Sequence, residues 1–137
     1  PEPWTAQSRA RVKRLGAAAP EIADGAVFGE SGQAGFAFVK REGVWLGLGD
    51  PAGEESDRVS AIWRFRDMCD RAGVDAAFMR VGTGLLRVYG DIGLTAFAME
   101  APRDGSAPRY LVCRAERDLE ILLPLLPQGE ASTGTRR

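Results

Sequence analysis

Apolar and polar positions change period along this chain, and the changes mark out its elements. Val59, Ile62, Trp63, Phe65, Met68, Cys69 and Ala72 recur at i, i+3, i+4 spacing, which is the stripe of an amphipathic helix stopped by Gly73. Glu54, Glu55, Ser56 and Asp57 stand just before it and supply cap and first-turn residues suited to the positive end of a helix. Upstream the period drops to two. Phe36, Phe38 and Lys40 alternate with Ala37 and Val39, and Val44, Leu46 and Leu48 alternate with Trp45, Gly47 and Gly49. Arg41, Glu42 and Gly43 lie between the two runs, so the segment reads as a β-hairpin turning at a permissive glycine.

The remaining elements are shorter. Residues 6–19 are rich in Ala and Arg, with Val12 and Leu15 at helical spacing, and predict a helix closed by Gly16 or Pro20. Residues 26–28 add an edge strand. Residues 75–81 read as a largely buried strand, 85–92 as a short helix between Gly84 and Gly93, and 94–99 as a further strand. A polar linker follows at 101–108, then a strand at 109–114, a helical run at 118–126 broken by Pro124, and a frayed tail at 128–137. This order predicts an α/β (α+β) fold, a mixed β-sheet with helices on its faces.

Composition narrows the chemistry more than the fold. The chain has 137 residues, 45% hydrophobic, enough for one core and one domain spanning 1–137. Its 18 basic and 19 acidic residues nearly cancel, so any polyanion must be held by a local basic patch. Cys69 and Cys113 lie in apolar segments and read as buried thiols in a reducing compartment. The absence of histidine removes Ser-His and Cys-His pairs and His-based metal sites, and no metal or cofactor is expected. No apolar run approaches the ~20 residues that span a bilayer, and residues 1–10 show no signal-peptide pattern. The domain is expected to be soluble and to face the cytosol.

Candidate binding residues cluster after strands. Gly49, Asp50 and Pro51 sit in a Gly- and Pro-rich turn from the hairpin to the long helix, where free amides can receive an anion, though a plain tight turn accounts for the composition equally well. Arg80 ends an apolar strand just before Gly82-Thr83-Gly84, a usual place for ligand contacts in α/β sheets. Arg64 shares a helix face with Asp67 and Arg71, and Arg66 pairs with Asp70 at i, i+4, which ordinarily serves only to stabilise an exposed face. Tyr89 and Asp50 are conceivable proton acceptors by residue type, and catalytic residues stay unassigned.

The order of strands and helices resembles that of GNAT-type acyltransferases. Phe36-Ala37-Phe38-Val39, Val44 to Gly53 with its Gly49-Asp50-Pro51-Ala52-Gly53 element, Ile62-Trp63-Arg64-Phe65-Arg66 and Tyr89-Gly90-Asp91-Ile92-Gly93-Leu94 are similar to lysyl- and alanyl-phosphatidylglycerol synthases, over residues 26–100. The resemblance implies one GNAT-like half of a larger bacterial protein at the cytoplasmic face of the membrane. Its partners would be aminoacyl-tRNA, phosphatidylglycerol, a second GNAT-like half and the membrane surface. The implied reaction transfers an aminoacyl group, expected to be lysyl, from charged tRNA to the lipid, in a pathway tied to antimicrobial peptide resistance.

In GNAT-like order the strand ending at Gly49 and the strand ending at Val81 run parallel as neighbours, which brings Asp50 and Arg80 to one edge. Two other readings stand beside this one. A non-catalytic binding or scaffold domain would keep the fold without turnover. A stand-alone acetyl-CoA-dependent N-acyltransferase fits the order, but Asp50, Glu54 and Glu55 stand where that group's pyrophosphate loop would be and would repel it.

Overall fold

The computed structural model describes residues 1–99 and 104–125. Eight strands form one sheet: β1 (Glu2–Pro3), β2 (Gly25–Phe28), β3 (Ala34–Arg41), β4 (Val44–Gly47), β5 (Ala52–Gly53), β6 (Asp75–Val81), β7 (Thr95–Ala98) and β8 (Tyr110–Cys113). Their order is β1-β2-β3-β4-β6-β8-β7, with β5 paired to β3. Only β4 and β6 run parallel; every other pair is antiparallel. The helices are α1 (Ala6–Leu15), α2 (Glu55–Ala72), α3 (Leu86–Asp91) and α4 (Leu119–Leu122), the last flanked by 3-10 turns.

The strand alternation sorts the core into two layers. On one face Phe36, Phe38, Ala76 and Phe78 pack with Ile62, Phe65 and Cys69 of α2 and with Tyr89 of α3. On the other, Ala37, Val39, Val44, Leu46 and Ala77 pack with Val12 of α1 and Leu122 of α4. Helices therefore cover both faces, as a mixed sheet requires. A chain of ring contacts runs through the first layer: Phe36 to Phe65 at 5.2 Å, Phe65 to Phe78 at 5.3 Å and Phe78 to Tyr89 at 4.7 Å. Such pairs add about 0.5–1.5 kcal/mol each beyond area burial. Gly47 makes room for them, since a Cβ there would stand 2.5 Å from the Phe78 ring.

Most expected elements are present, with four differences. The strand at 26–28 is not an edge, because β1 pairs outside it and all four of its residues are buried. The second hairpin strand stops at Gly47 rather than Gly49. Trp63, counted in the apolar stripe of α2, is 38% exposed, and its ring lies 5.6 Å from the Arg66 guanidinium. The strand after the linker, β8, inserts between β6 and β7, which leaves β7 at the edge with three of its four residues exposed. The expectations for residues 101–103 and for the chain after 125 lie outside the described residues. Among the described residues, no helix is long and apolar enough to cross a membrane.

Asp57 ties α2 to the sheet. Glu54 is the N-cap, accepting from the Asp57 backbone N–H at 2.9 Å. The Asp57 carboxylate reaches the other way, accepting from the backbone N–H groups of Ser31, Gln33 and Ala34 at 2.8–2.9 Å. Burial raises its pKa, but those hydrogen bonds outweigh the burial and hold it below the ordinary value. Asp57 is thus a brace for the 29–34 loop rather than an ordinary first-turn residue.

Candidate functional site

The parallel register of β4 and β6 sets Val44 beside Asp75 and Gly47 beside Phe78, so both strands leave the sheet at the same edge. The chain departs β4 through Gly49, whose φ of 153° is a conformation side-chain-bearing residues avoid. Asp50 follows, just before the buried Pro51, a position at which the proline ring disfavours helical backbone. On the neighbouring strand the ladder with β8 shifts register between Phe78 and Val81, placing an extra residue on β6. Arg80 lies in this bulge with φ 54°, among the described residues the one non-glycine residue at positive φ, a strain of about 1 kcal/mol or more. The bulge resets the alternation, so that Val81 joins the layer under α2 with Phe78.

At this edge Asp50 is gripped from two sides. One carboxylate oxygen, Oδ2, accepts from the Gly82 backbone N–H at 2.9 Å, and Oδ1 accepts from the Tyr89 hydroxyl at 2.7 Å. Tyr89 is wholly buried against Phe78, so its ring is fixed and its hydroxyl is aimed. Burial, then the Asp50 charge and the hydrogen bond to it, push the Tyr89 pKa far above its ordinary value. The phenol therefore stays protonated and acts as a donor. Asp50 itself is only partly buried, and each oxygen keeps acceptor capacity for a hydroxyl or ammonium from a ligand.

The parallel placement of β4 and β6 brings the chain after Gly49 and the end of β6 at Val81 to one edge, where Asp50 is bonded to Gly82 and Tyr89, with Pro51 and Arg80 adjacent along the chain. The Arg80 side chain is exposed there and is engaged in a contact of its own. Arg64 is not part of this group. It lines a separate groove of about 490 Å³ with Arg11, Glu30, Asp67 and Arg71, between α2 and the 29–32 turn. That groove holds none of the other candidates. The start of α2 is occupied by its own Glu54, with Glu55 beside it, an unfavourable place for an anion.

Two residues at the edge are missing from the sequence-derived set. Gly82 donates to Asp50, and a Cβ on it would stand 2.9 Å from Arg109 Nη1 and 3.7 Å from Asp50 Oδ2. Arg109 arrives from the start of β8, its backbone carbonyl accepting from the Met99 N–H at 3.0 Å. No local pattern marks either. Gly82 stands out only as part of a Gly-Thr-Gly turn, and Arg109 is brought in by the insertion of β8 beside β6.

Comparison with known proteins agrees with this architecture. The sequence signature of the family described as "Phosphatidylglycerol lysyltransferase, C-terminal" matches residues 23–107, more than half of the chain. No curated protein matches. Among solved structures, a C-terminal domain assigned to a lysylphosphatidylglycerol synthetase from Agrobacterium fabrum is 31% identical, with a TM-score of 0.54, over 66% of this chain and 27% of that one. The L-PGS structure from Bacillus licheniformis is 22% identical, with a TM-score of 0.63, over 72% of this chain and 32% of that one, and supports the fold alone. The chain therefore spans about a third or less of these proteins. It belongs to the family of phosphatidylglycerol lysyltransferase C-terminal domains.

Proposed function

We propose that this chain is one GNAT-like part of a transferase that moves an aminoacyl group, lysyl by family, from charged tRNA to phosphatidylglycerol. The reaction joins the glycerol hydroxyl oxygen to the ester carbonyl, expels the tRNA 3′ oxygen, and passes the hydroxyl proton to that leaving oxygen. It calls for a positioned alcohol and a group that accepts its hydrogen bond. Asp50 fits that need, and this supports the reading most directly: a carboxylate fixed by Gly82 and Tyr89 at the shared exit of β4 and β6, with accessible lone pairs.

The family match supplies the reaction class. Because the chain covers only 27% and 32% of its relatives, we assign the oxyanion contacts, the tRNA contacts and membrane attachment to the remaining length of such a protein, including a second GNAT-like half. The reading places the domain at the cytoplasmic face of the membrane. An acetyl-CoA-dependent activity is disfavoured by Glu54 and Glu55 at the start of α2. A non-catalytic scaffold draws on one observation, that both Asp50 oxygens already have protein partners. The assay that separates these readings supplies a full-length protein that carries this domain, and not the 137-residue chain alone, with labelled lysyl-tRNA and phosphatidylglycerol vesicles. Label in chloroform-extracted lipid is expected; label remaining on tRNA under every condition would reject the transferase reading.

A further inference from the structure

Arg109 is a cation close to Asp50, both lying within 4 Å of where a Cβ of Gly82 would be, and neither the sequence motifs nor the family match assigns it a role. Its guanidinium lies against Gly82, close enough that any side chain there would displace it. It is exposed, and among the described residues it forms no ion pair, with Asp50 or otherwise. Asp50 nevertheless stands close to the same point, its Oδ2 3.7 Å from where a Cβ of Gly82 would be. A carboxylate that accepts and a guanidinium that donates thus flank one residue, and the guanidinium fork remains available to a planar or tetrahedral anion.

We infer that Arg109 binds a phosphodiester whose neighbouring hydroxyl is taken by Asp50, so that the pair reads a glycerophosphoglycerol headgroup. This rests on the proposed action on phosphatidylglycerol and extends it to the residue that selects the lipid. The chemistry follows from the two groups. A phosphodiester carries one negative charge and oxygens suited to a bidentate arginine, and a glycerol hydroxyl two carbons further on presents a donor to a carboxylate. A headgroup without the hydroxyl satisfies Arg109 alone, and one without the phosphate satisfies Asp50 alone. Gly82 is the seat that keeps the guanidinium beside Asp50 rather than on it.

The test is a titration of the 137-residue protein, followed by the backbone amide signals of Gly82, Thr83 and Gly84. The ligands are soluble glycerophosphoglycerol, glycerophosphocholine, glycerol and a CCA-ended oligonucleotide. Glycerophosphoglycerol is expected to shift these signals saturably and to bind more tightly than glycerophosphocholine or glycerol. Arg109→Gln is expected to weaken it about tenfold or more, the scale of a lost charge-assisted hydrogen bond. Gly82→Ala should act in the same direction by pushing the guanidinium aside, and Arg109→Lys should recover binding only in part.

Equal affinity in Arg109→Gln and the parent sequence would overturn the inference. So would shifts produced by the oligonucleotide and not by glycerophosphoglycerol, which would assign the anion to tRNA. In a full-length protein carrying this domain, lysyl transfer that proceeds with an unchanged KM for phosphatidylglycerol in Arg109→Gln defeats this inference and leaves the functional reading standing. Headgroup binding through Arg109 without any lysyl transfer by that full-length protein does the reverse.

Discussion

Tyr89 carries a phenol through the aromatic layer to a carboxylate at the sheet edge, and each group fixes the other. Its ring is held by Phe78 at 4.7 Å, and its hydroxyl donates to Asp50 at 2.7 Å. Tyr89→Phe keeps the ring and deletes the donor, so it is expected to destabilise the fold by about 1.5–3 kcal/mol, the usual worth of a hydrogen bond to a charged group. The pH dependence has a definite sign. The folded pKa is raised above the ordinary 10.0, so this stabilisation is full below pH 10.0 and is lost as pH rises through the folded value. Urea unfolding at neutral and alkaline pH checks both points: the variant should be weaker at neutral pH and fall less steeply above 10.0. Equal stability of the two proteins would contradict the brace. The sequence offered Asp50 and Tyr89 as separate candidates, each a conceivable proton acceptor by residue type; the structure instead makes Tyr89 the donor and Asp50 the acceptor. Their pairing spans 39 positions and had no local signal. Arg64 was legible as a helix-face arginine, but which groove that face would line depends on the 29–32 turn packed against it.

Among the elements, the hairpin and α2 were the most legible, because period and turn chemistry agree there: Arg41 pairs with Val44 across Glu42 and Gly43, and α2 ends at Gly73. What escaped was the side-chain brace that seats an element. Asp57 binds a loop 23 to 26 residues away, a contact invisible to helical periodicity. A second brace is unfavourable. Asp118, ahead of α4, is 4% exposed, has an Oδ2 with no hydrogen-bond partner among the described residues, and lies beside the carboxyl group of Asp75 at the start of β6. Burial first, then the Asp75 charge, raise its pKa above 3.8. A raised carboxylic acid stabilises the fold most below the unfolded value of 3.8, and that contribution is lost as pH rises through the folded pKa. Near neutrality the pair therefore costs stability. Asp118→Asn, whose amide can donate to Asp75, is expected to stabilise the protein by about 1 kcal/mol at neutral pH and to flatten its melting profile between acid and neutral pH. Thermal melts across that range decide; a less stable variant with the same pH slope would show that the two carboxyls are not in conflict.

At the scale of the molecule, the sheet works by bringing distant chain segments to one edge. The class of fold followed from element order, and the adjacency of β4 and β6 followed from the resemblance to acyltransferases, which put Asp50 and Arg80 on the same side. The insertion of β8 between β6 and β7 did not follow, because strand pairing across a polar linker is decided by packing of whole faces rather than by local pattern. That insertion delivers Arg109 to the site and leaves β7 as an edge. The resulting account is of a family member whose β4–β6 exit positions the alcohol for aminoacyl transfer. It is tested most directly in cells, by mass spectrometry of lipids from a strain lacking the gene for the full-length protein, complemented with that whole gene as the parent sequence or with the same gene carrying Asp50→Asn. The account predicts lysyl-phosphatidylglycerol with the parent sequence, none in the deletion, and a loss of about tenfold or more with a folded Asp50→Asn protein. Lysyl-phosphatidylglycerol at the same level in the deletion strain, or undiminished with Asp50→Asn, would contradict it.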